Sequence, residues 1–209
     1  MPNWCCTDIY INCENKEKLR DFYCKIEEWT SKNYKKNGFG LDWLGNIVGN
    51  SGIGTIDEDK DTDLFCRGWL EELELENNDT QLWIRTNSAW QPALKMWDLL
   101  VKQYIPEAEL IYSAEECGEG LFNTNDPVLH NCWRIGNLDE YPDDIAEWFE
   151  YCDVYEIPEK ELIEILQKGL NTTESDINEL LERFKELLSS YDCWFDFCKW
   201  ETIELEECV

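Results

Sequence analysis

Residues 69–86 read WLEELELENNDTQLWIRT, and the architecture turns on them. Trp69, Leu73 and Leu75 alternate with Glu72, Glu74 and Glu76, the two-residue period of a strand with one buried and one acidic face. Asn77, Asn78 and Asp79 are residue types that tolerate a tight reversal. Leu82 and Ile84 then point inward, with Trp83 and Arg85 on the opposite face. The stretch predicts a β-hairpin.

Upstream, TDIYINCE alternates as well, with Ile9, Ile11 and Cys13 on one side and Tyr10 and Asn12 on the other. A helix follows, because Leu19, Phe22, Tyr23, Ile26 and Trp29 recur at helical spacing. Residues 33–64 lose all periodicity. They are glycine-rich, end in a charge run and read as a long loop or insertion. Downstream of the hairpin, Leu94, Trp97, Val101 and Tyr104 make a second helical stripe, with Pro92 suited to its first turn and Pro106 ending it. Leu110 and Tyr112 share one side of a fourth strand. The order β-α-β-β-α-β predicts an α+β fold, a ferredoxin-like four-stranded antiparallel sheet with two helices on one face.

Three stretches carry a resemblance. MPNWC at the start, RTNSAWQPALKMW and ELIYSAEECGEGLF occur in the order, and with the strand and helix spacing, of the ferredoxin-like domain family named after the plasmid protein YubB. The likeness spans about residues 1–125, with Cys6-Thr7 and the 33–64 segment departing from it. It implies a ferredoxin-like fold and an origin in a plasmid, phage or mobile element. That family has no established catalytic residues to carry over.

Residues 137–209 are different in kind. They hold 22 acids and 5 bases, a balance of −17, against −11 for residues 1–136. Ile145, Trp148, Phe149 and Cys152 fall on one helical face; Leu162, Ile165 and Leu166 make a second stripe, with Pro158 before it and Gly169 as a C-cap. A third runs from Ile177 through Leu180, Leu181, Phe184, Leu187, Leu188 and Tyr191, with Thr173 and Asp176 as a near-match to a capping box. Ile203 and Leu205 oppose Thr202 and Glu204 in a closing strand. The domain expectation is a core over residues 1–136 with an insertion at about 33–64, then an acidic helical extension over 137–209 that ends in a short strand.

The charge of −28 excludes several classes. Such a chain repels phosphate and anionic membranes, so its natural partners are basic surfaces. Tyr10 and Trp83 would share an open sheet face, as base-stacking aromatics do in RNA-binding folds, with Arg85 beside them. The basic surround is missing, so direct nucleic-acid binding is not expected. No basic-then-apolar leader occupies positions 1–15, and no apolar run reaches the length of a membrane span. The expectation is the cytoplasm of a host cell, with the 11 cysteines mostly reduced.

Candidate chemistry is sparse. Cys5-Cys6 could be a metal clamp, a disulfide or the edge of a strand. Adjacent cysteines rarely bridge without strain, and the chain has no C-x2-C, so the strand is favoured and no metal or cofactor is expected. Asp57, Asp59, Asp61 and Asp63 have calcium-like spacing, but Thr62 and Gly68 stand where an EF-hand needs Gly and Glu. Residues 49–54, GNSGIG, lack the lysine of a phosphate loop and read as a flexible loop. His130, the single histidine, has no nucleophile motif nearby. The chain is not expected to be an enzyme.

Function then rests on charge. The first expectation is an anti-defence protein of a phage or mobile element, of the anti-CRISPR or nuclease-inhibitor type. Its acids would imitate nucleic-acid phosphates in the basic groove of a host defence complex. Its partner residues would be Asp143, Asp144, Glu147 and Glu150 at one helix start and Glu179, Glu182 and Glu186 along another helix. Trp43, in the 33–64 segment, would centre an apolar alternative. The second expectation is a non-catalytic structural or regulatory module that binds a protein or itself as a homo-oligomer.

Overall fold

The computed structural model describes residues 3–35, 38–56, 64–118, 120–136, 141–149, 156–191 and 197–205. The chain divides into two compact units, residues 1–126 with 203–209, and residues 127–202.

In the first unit, β1 (Trp4–Asn12) pairs with β3 (Gln81–Ala89) on one side and β4 (Glu109–Glu116) on the other. β2 (Gly68–Glu76) pairs with β3, and β5 (Leu121–Thr124) pairs with β4; all four pairings are antiparallel. The hairpin turns through Asn77, Asn78 and Asp79, all with positive φ, which explains two asparagines and an aspartate in succession. Arg20 pairs with Asp79 and ties that turn to α1 (Lys16–Thr30).

One face of this sheet is covered. Leu19, Phe22, Ile26 and Trp29 of α1, Leu44, Ile47 and Val48 of α2 (Leu44–Ser51), and Leu94, Met96, Trp97, Leu100 and Val101 of α3 (Leu94–Tyr104) pack against Ile9, Ile11, Leu82, Ile84, Leu110 and Tyr112 in one core. Each such side chain contributes roughly 1.5–3 kcal/mol on burial. The sheet is thereby sided. Tyr10, Trp83 and Arg85 stay on the open face, as the alternation requires.

The ferredoxin-like expectation is corrected at three points. The class is α+β, but among the described residues this unit's sheet has five strands, β1–β5, instead of four, and the unit has three helices instead of two. The extra helix, α2, lies in the segment read as a loop. Eight residues are too short to show a helical period between glycines, yet Leu44, Ile47 and Val48 fall at i, i+3 and i+4 and are buried. Asn46 fixes the loop before it by donating to the Gly40 and Leu41 carbonyls while accepting from the Tyr34 N–H. Gly49 is needed because the Tyr34 ring lies where its Cβ would be. The third point is a bulge at Glu71. It shifts register between Leu70 and Glu72, so Leu70 joins Leu73 and Leu75 on the core side. Trp69 lands opposite Asn87, on the open face with Glu72 and Glu74.

The second unit is not simply helical. β6 (Cys132–Ile135) is the centre of a three-stranded antiparallel sheet between β7 (Glu156–Pro158) and β8 (Phe197–Lys199). Short helix α4 (Asp143–Ala146) runs into a 3-10 turn at Glu147–Phe149, and α5 (Glu159–Gly169) and α6 (Ile177–Ser189) follow. Phe184 of α6 is the hub. Its ring lies 5.5 to 6.1 Å from those of Phe197, Trp148, Phe149 and Tyr141. The N-cap of α6 is Asp176, not Thr173. Its carboxylate accepts the Asn178 N–H at 2.9 Å and the Glu179 N–H at 3.3 Å, while Glu174 accepts the Asp176 N–H. Gly169 is the last helical residue of α5 and not a left-handed cap. It is glycine because the Trp148 ring sits 2.2 Å from where a Cβ would project.

Candidate functional site

The Trp4-Cys5-Cys6 stretch is the start of β1. Burial pushes the Cys5 thiol up to about 11, which disfavours its thiolate at neutral pH. Cys5, Cys13 and Cys24 are free thiols. Among those residues, no three or more His, Cys, Asp or Glu side chains are grouped to hold a metal ion. The Asp57–Asp63 run, Glu150 and Cys152 lie outside the described residues. Residues 49–54 are not a loose loop: Gly49–Ser51 close α2, and the Asn50 amide donates to the Trp29 and Lys32 carbonyls. His130 is exposed, with Nδ1 2.8 Å from the Thr202 hydroxyl, and Cys132 is buried and donates to the Val128 carbonyl. No described helix is long and apolar enough to cross a membrane.

On the open face of the first sheet, strand register places Asp8 against Arg85 and Tyr10 against Trp83. Asp8 holds Arg85 by a two-pronged ion pair, Nε to Oδ1 at 2.9 Å and Nη2 to Oδ2 at 3.0 Å, and accepts the Trp83 Nε1–H at 2.8 Å. The guanidinium also lies 5.1 Å from the Trp83 ring centre. The Asp8 hydrogen bonds raise the Arg85 pKa above its ordinary value. Arg85 is the one basic residue on β1–β5, so this cation is committed to a carboxylate while Glu72 and Glu74 stand on the same face. The face presents aromatic rings in an acidic frame. Trp4 stacks edge-on against Trp69 at 5.4 Å and remains 43% exposed.

Trp43 is 9% exposed, with its ring laid over Gly45 and 4.7 Å from Phe39. What this segment exposes instead is Phe39 at 56% and Leu41 at 46%.

The six described acidic candidates fall in two places. Glu179, Glu182 and Glu186 are exposed together on α6. They are interleaved with Arg183 and Lys185, and Glu182 pairs with Lys185 at 3.9 Å. Asp143, Asp144 and Glu147 occupy the exposed side of α4 and its 3-10 turn, a segment with no basic residue. Asp144 and Glu147 form one wall of a groove of about 580 Å³; Glu161, Glu164 and Lys168 of α5 form the other, and Trp148, Ile165 and Gly169 line the rest. Neither Glu161 nor Glu164 was singled out from sequence. The available signal was spacing, because Glu161, Ile165 and Lys168 follow at i, i+4 and i+7 along one side of α5.

Comparison with protein-family models, curated proteins and solved structures finds no match to this chain.

Proposed function

We propose that the protein is a non-enzymatic binding protein that presents carboxylates to a basic surface of a partner. The target class is a host nucleic-acid-binding defence complex, and the protein is an anti-defence factor of a phage or mobile element. One observation carries the reading: the acids of α4 and its 3-10 turn are exposed without a cation among them, and they converge on further acids from α5. An acidic surface that only secures solubility would intersperse both signs, as α6 does. Unneutralised acids on one surface suit a groove built for phosphates, and they steer the encounter over about a Debye length. The resemblance to a mobile-element family supports the origin.

The test is affinity purification from cells that carry nucleic-acid-targeting defence systems, followed by binding measurements with what co-elutes. Wild-type affinity should fall steeply with added salt. Reversing Asp143, Asp144 and Glu147 to Lys should weaken it more than reversing Glu179, Glu182 and Glu186. A target whose affinity ignores both salt and these reversals overturns phosphate mimicry. It would favour a protein-interaction module that docks through Phe39 and Leu41, the exposed apolar pair beside Trp43.

A further inference from the structure

The groove in the second unit deepens that reading and rests on it. Its rim carries four carboxylates, from Asp144, Glu147, Glu161 and Glu164, against the single ammonium of Lys168. Among the described residues none of these five side chains has an ion-pair or hydrogen-bond partner. Other carboxylates of the same unit are neutralised locally: Glu159 by Lys199 at 2.6 Å and Glu182 by Lys185. Like charges brought together from two elements repel, and the repulsion is relieved when a cation enters between them.

The floor narrows the kind of cation. Trp148 is half-buried, packed 5.6 Å from Phe184 and seated on Gly169, and it lines the groove together with Ile165. An indole beside a ring of acceptors suits a flat, weakly hydrated, multi-donor cation better than a compact, strongly hydrated one. The groove is also far larger than a single hydrated metal ion needs, and its carboxylates come from separate walls.

We propose that this groove is an arginine-binding site, in which Trp148 takes the guanidinium plane and the acids of α4 and α5 accept its N–H groups. The occupant is an arginine presented by a basic segment of the partner protein. Ile165 in the groove's lining offers an apolar surface to the aliphatic stem.

Calorimetry at low ionic strength with two capped peptides tests this. Ac-Gly-Arg-Gly-Arg-Gly-NH2 should bind more tightly than its lysine counterpart. Glu161→Gln with Glu164→Gln should weaken the arginine peptide by about tenfold or more. Glu179→Gln with Glu182→Gln should change it by less than about twofold, because those acids lie on a mixed-charge face. Gly169→Ala, which displaces the Trp148 ring and alters no charge, should abolish the preference for arginine over lysine. The Trp148 indole resonance, assigned with Trp148→Phe, should shift on titration. Equal affinity for both peptides, or an indole signal that does not move, overturns the site. If the groove variants bind peptide normally while the whole protein still binds a basic partner with steep salt dependence, the groove is wrong and the acidic-surface function stands. If wild type binds neither peptide nor partner, both fail.

Discussion

Each unit holds one tryptophan by the same three-part arrangement, and the two copies are built differently. In the first unit Asp8 accepts the Trp83 indole N–H and two hydrogen bonds from Arg85, whose guanidinium lies 5.1 Å from the ring centre. In the second, Glu159 accepts the Trp133 indole N–H at 3.0 Å and one hydrogen bond from Lys199, whose ammonium lies 5.7 Å from that ring. Asp8 is placed by the register of two nine-residue strands, whereas Glu159 is the first residue of a helix. A planar fork on rigid neighbouring strands fixes two bonds at once; a point charge on a flexible stem fixes one. The same contrast runs through the units. The first balances −15 over 133 residues and buries three helices on a broad sheet, while the second carries −13 over 76 residues on a core gathered around one phenylalanine. The smaller unit combines the denser charge with the smaller core.

Breaking the cores should give the largest effects and show whether the units are separable. Phe184→Ala removes the ring around which Tyr141, Trp148, Phe149 and Phe197 pack, and should cost about 3–5 kcal/mol. Trp97→Ala, at a fully buried position, should cost about as much in the first unit. Hydrogen exchange followed by mass spectrometry across a urea series should show protection lost over residues 127–202 in the former and over residues 3–126 in the latter. Loss of protection in both units at the same urea concentration for either variant would show that they unfold as one.

The two tryptophan clusters sharpen the comparison at a smaller scale. Asp8→Ala leaves an indole donor and a guanidinium without their acceptor. With Asp8 22% and Arg85 42% exposed, solvent compensates in part, and the expected cost is about 1–2 kcal/mol. Chemical denaturation monitored at the first unit's amides would check it; a cost below that of Glu159→Gln would reverse the ranking of fork over point charge.

Glu159→Gln should be the mildest, at about 0.2–1 kcal/mol, since the pair with Lys199 is well exposed. Its signature is pH. The hydrogen bond from Lys199, and then that from Trp133, lower the Glu159 pKa below the ordinary 4.5. A carboxyl with a depressed folded pKa contributes stability above its unfolded value, and that contribution is lost as the pH falls through the folded one. Stability of the second unit, followed by exchange of its amides, should therefore fall less steeply with acid below about pH 4.5 in Glu159→Gln than in wild type. Parallel acid limbs in the two proteins would remove Glu159 from the acid response.

Alternation and helical stripes made much of the first unit legible. Ile9, Ile11, Leu82, Ile84, Leu110 and Tyr112 are inward as their spacing requires, and Leu19, Phe22, Ile26, Trp29, Leu94, Trp97 and Val101 face the core. Pattern reading failed where one residue changes the period or where an element is shorter than its own period can reveal. The bulge at Glu71 turned Trp69 outward, and α2 passed for a loop because eight residues hold barely two turns. In the second unit the stripes through Leu162 and Leu166 and through Leu180 and Phe184 were readable, whereas its sheet was not, because two of its strands have three residues each.

The sequence by itself determined the charge, the hairpin, the buried faces of α1, α3, β1, β3 and β4, and the exposure of Glu179, Glu182 and Glu186 on α6. All of these depend on neighbours within a few positions, and local spacing fixes them. Tertiary structure alone decided which acids stand together. Glu147 and Glu161 are separated by 14 positions and by β7, yet they line opposite walls of one groove, and Trp148 reaches its floor because residue 169 has no side chain. Periodicity records which side of an element a residue occupies; it carries no information about which other element that side will meet.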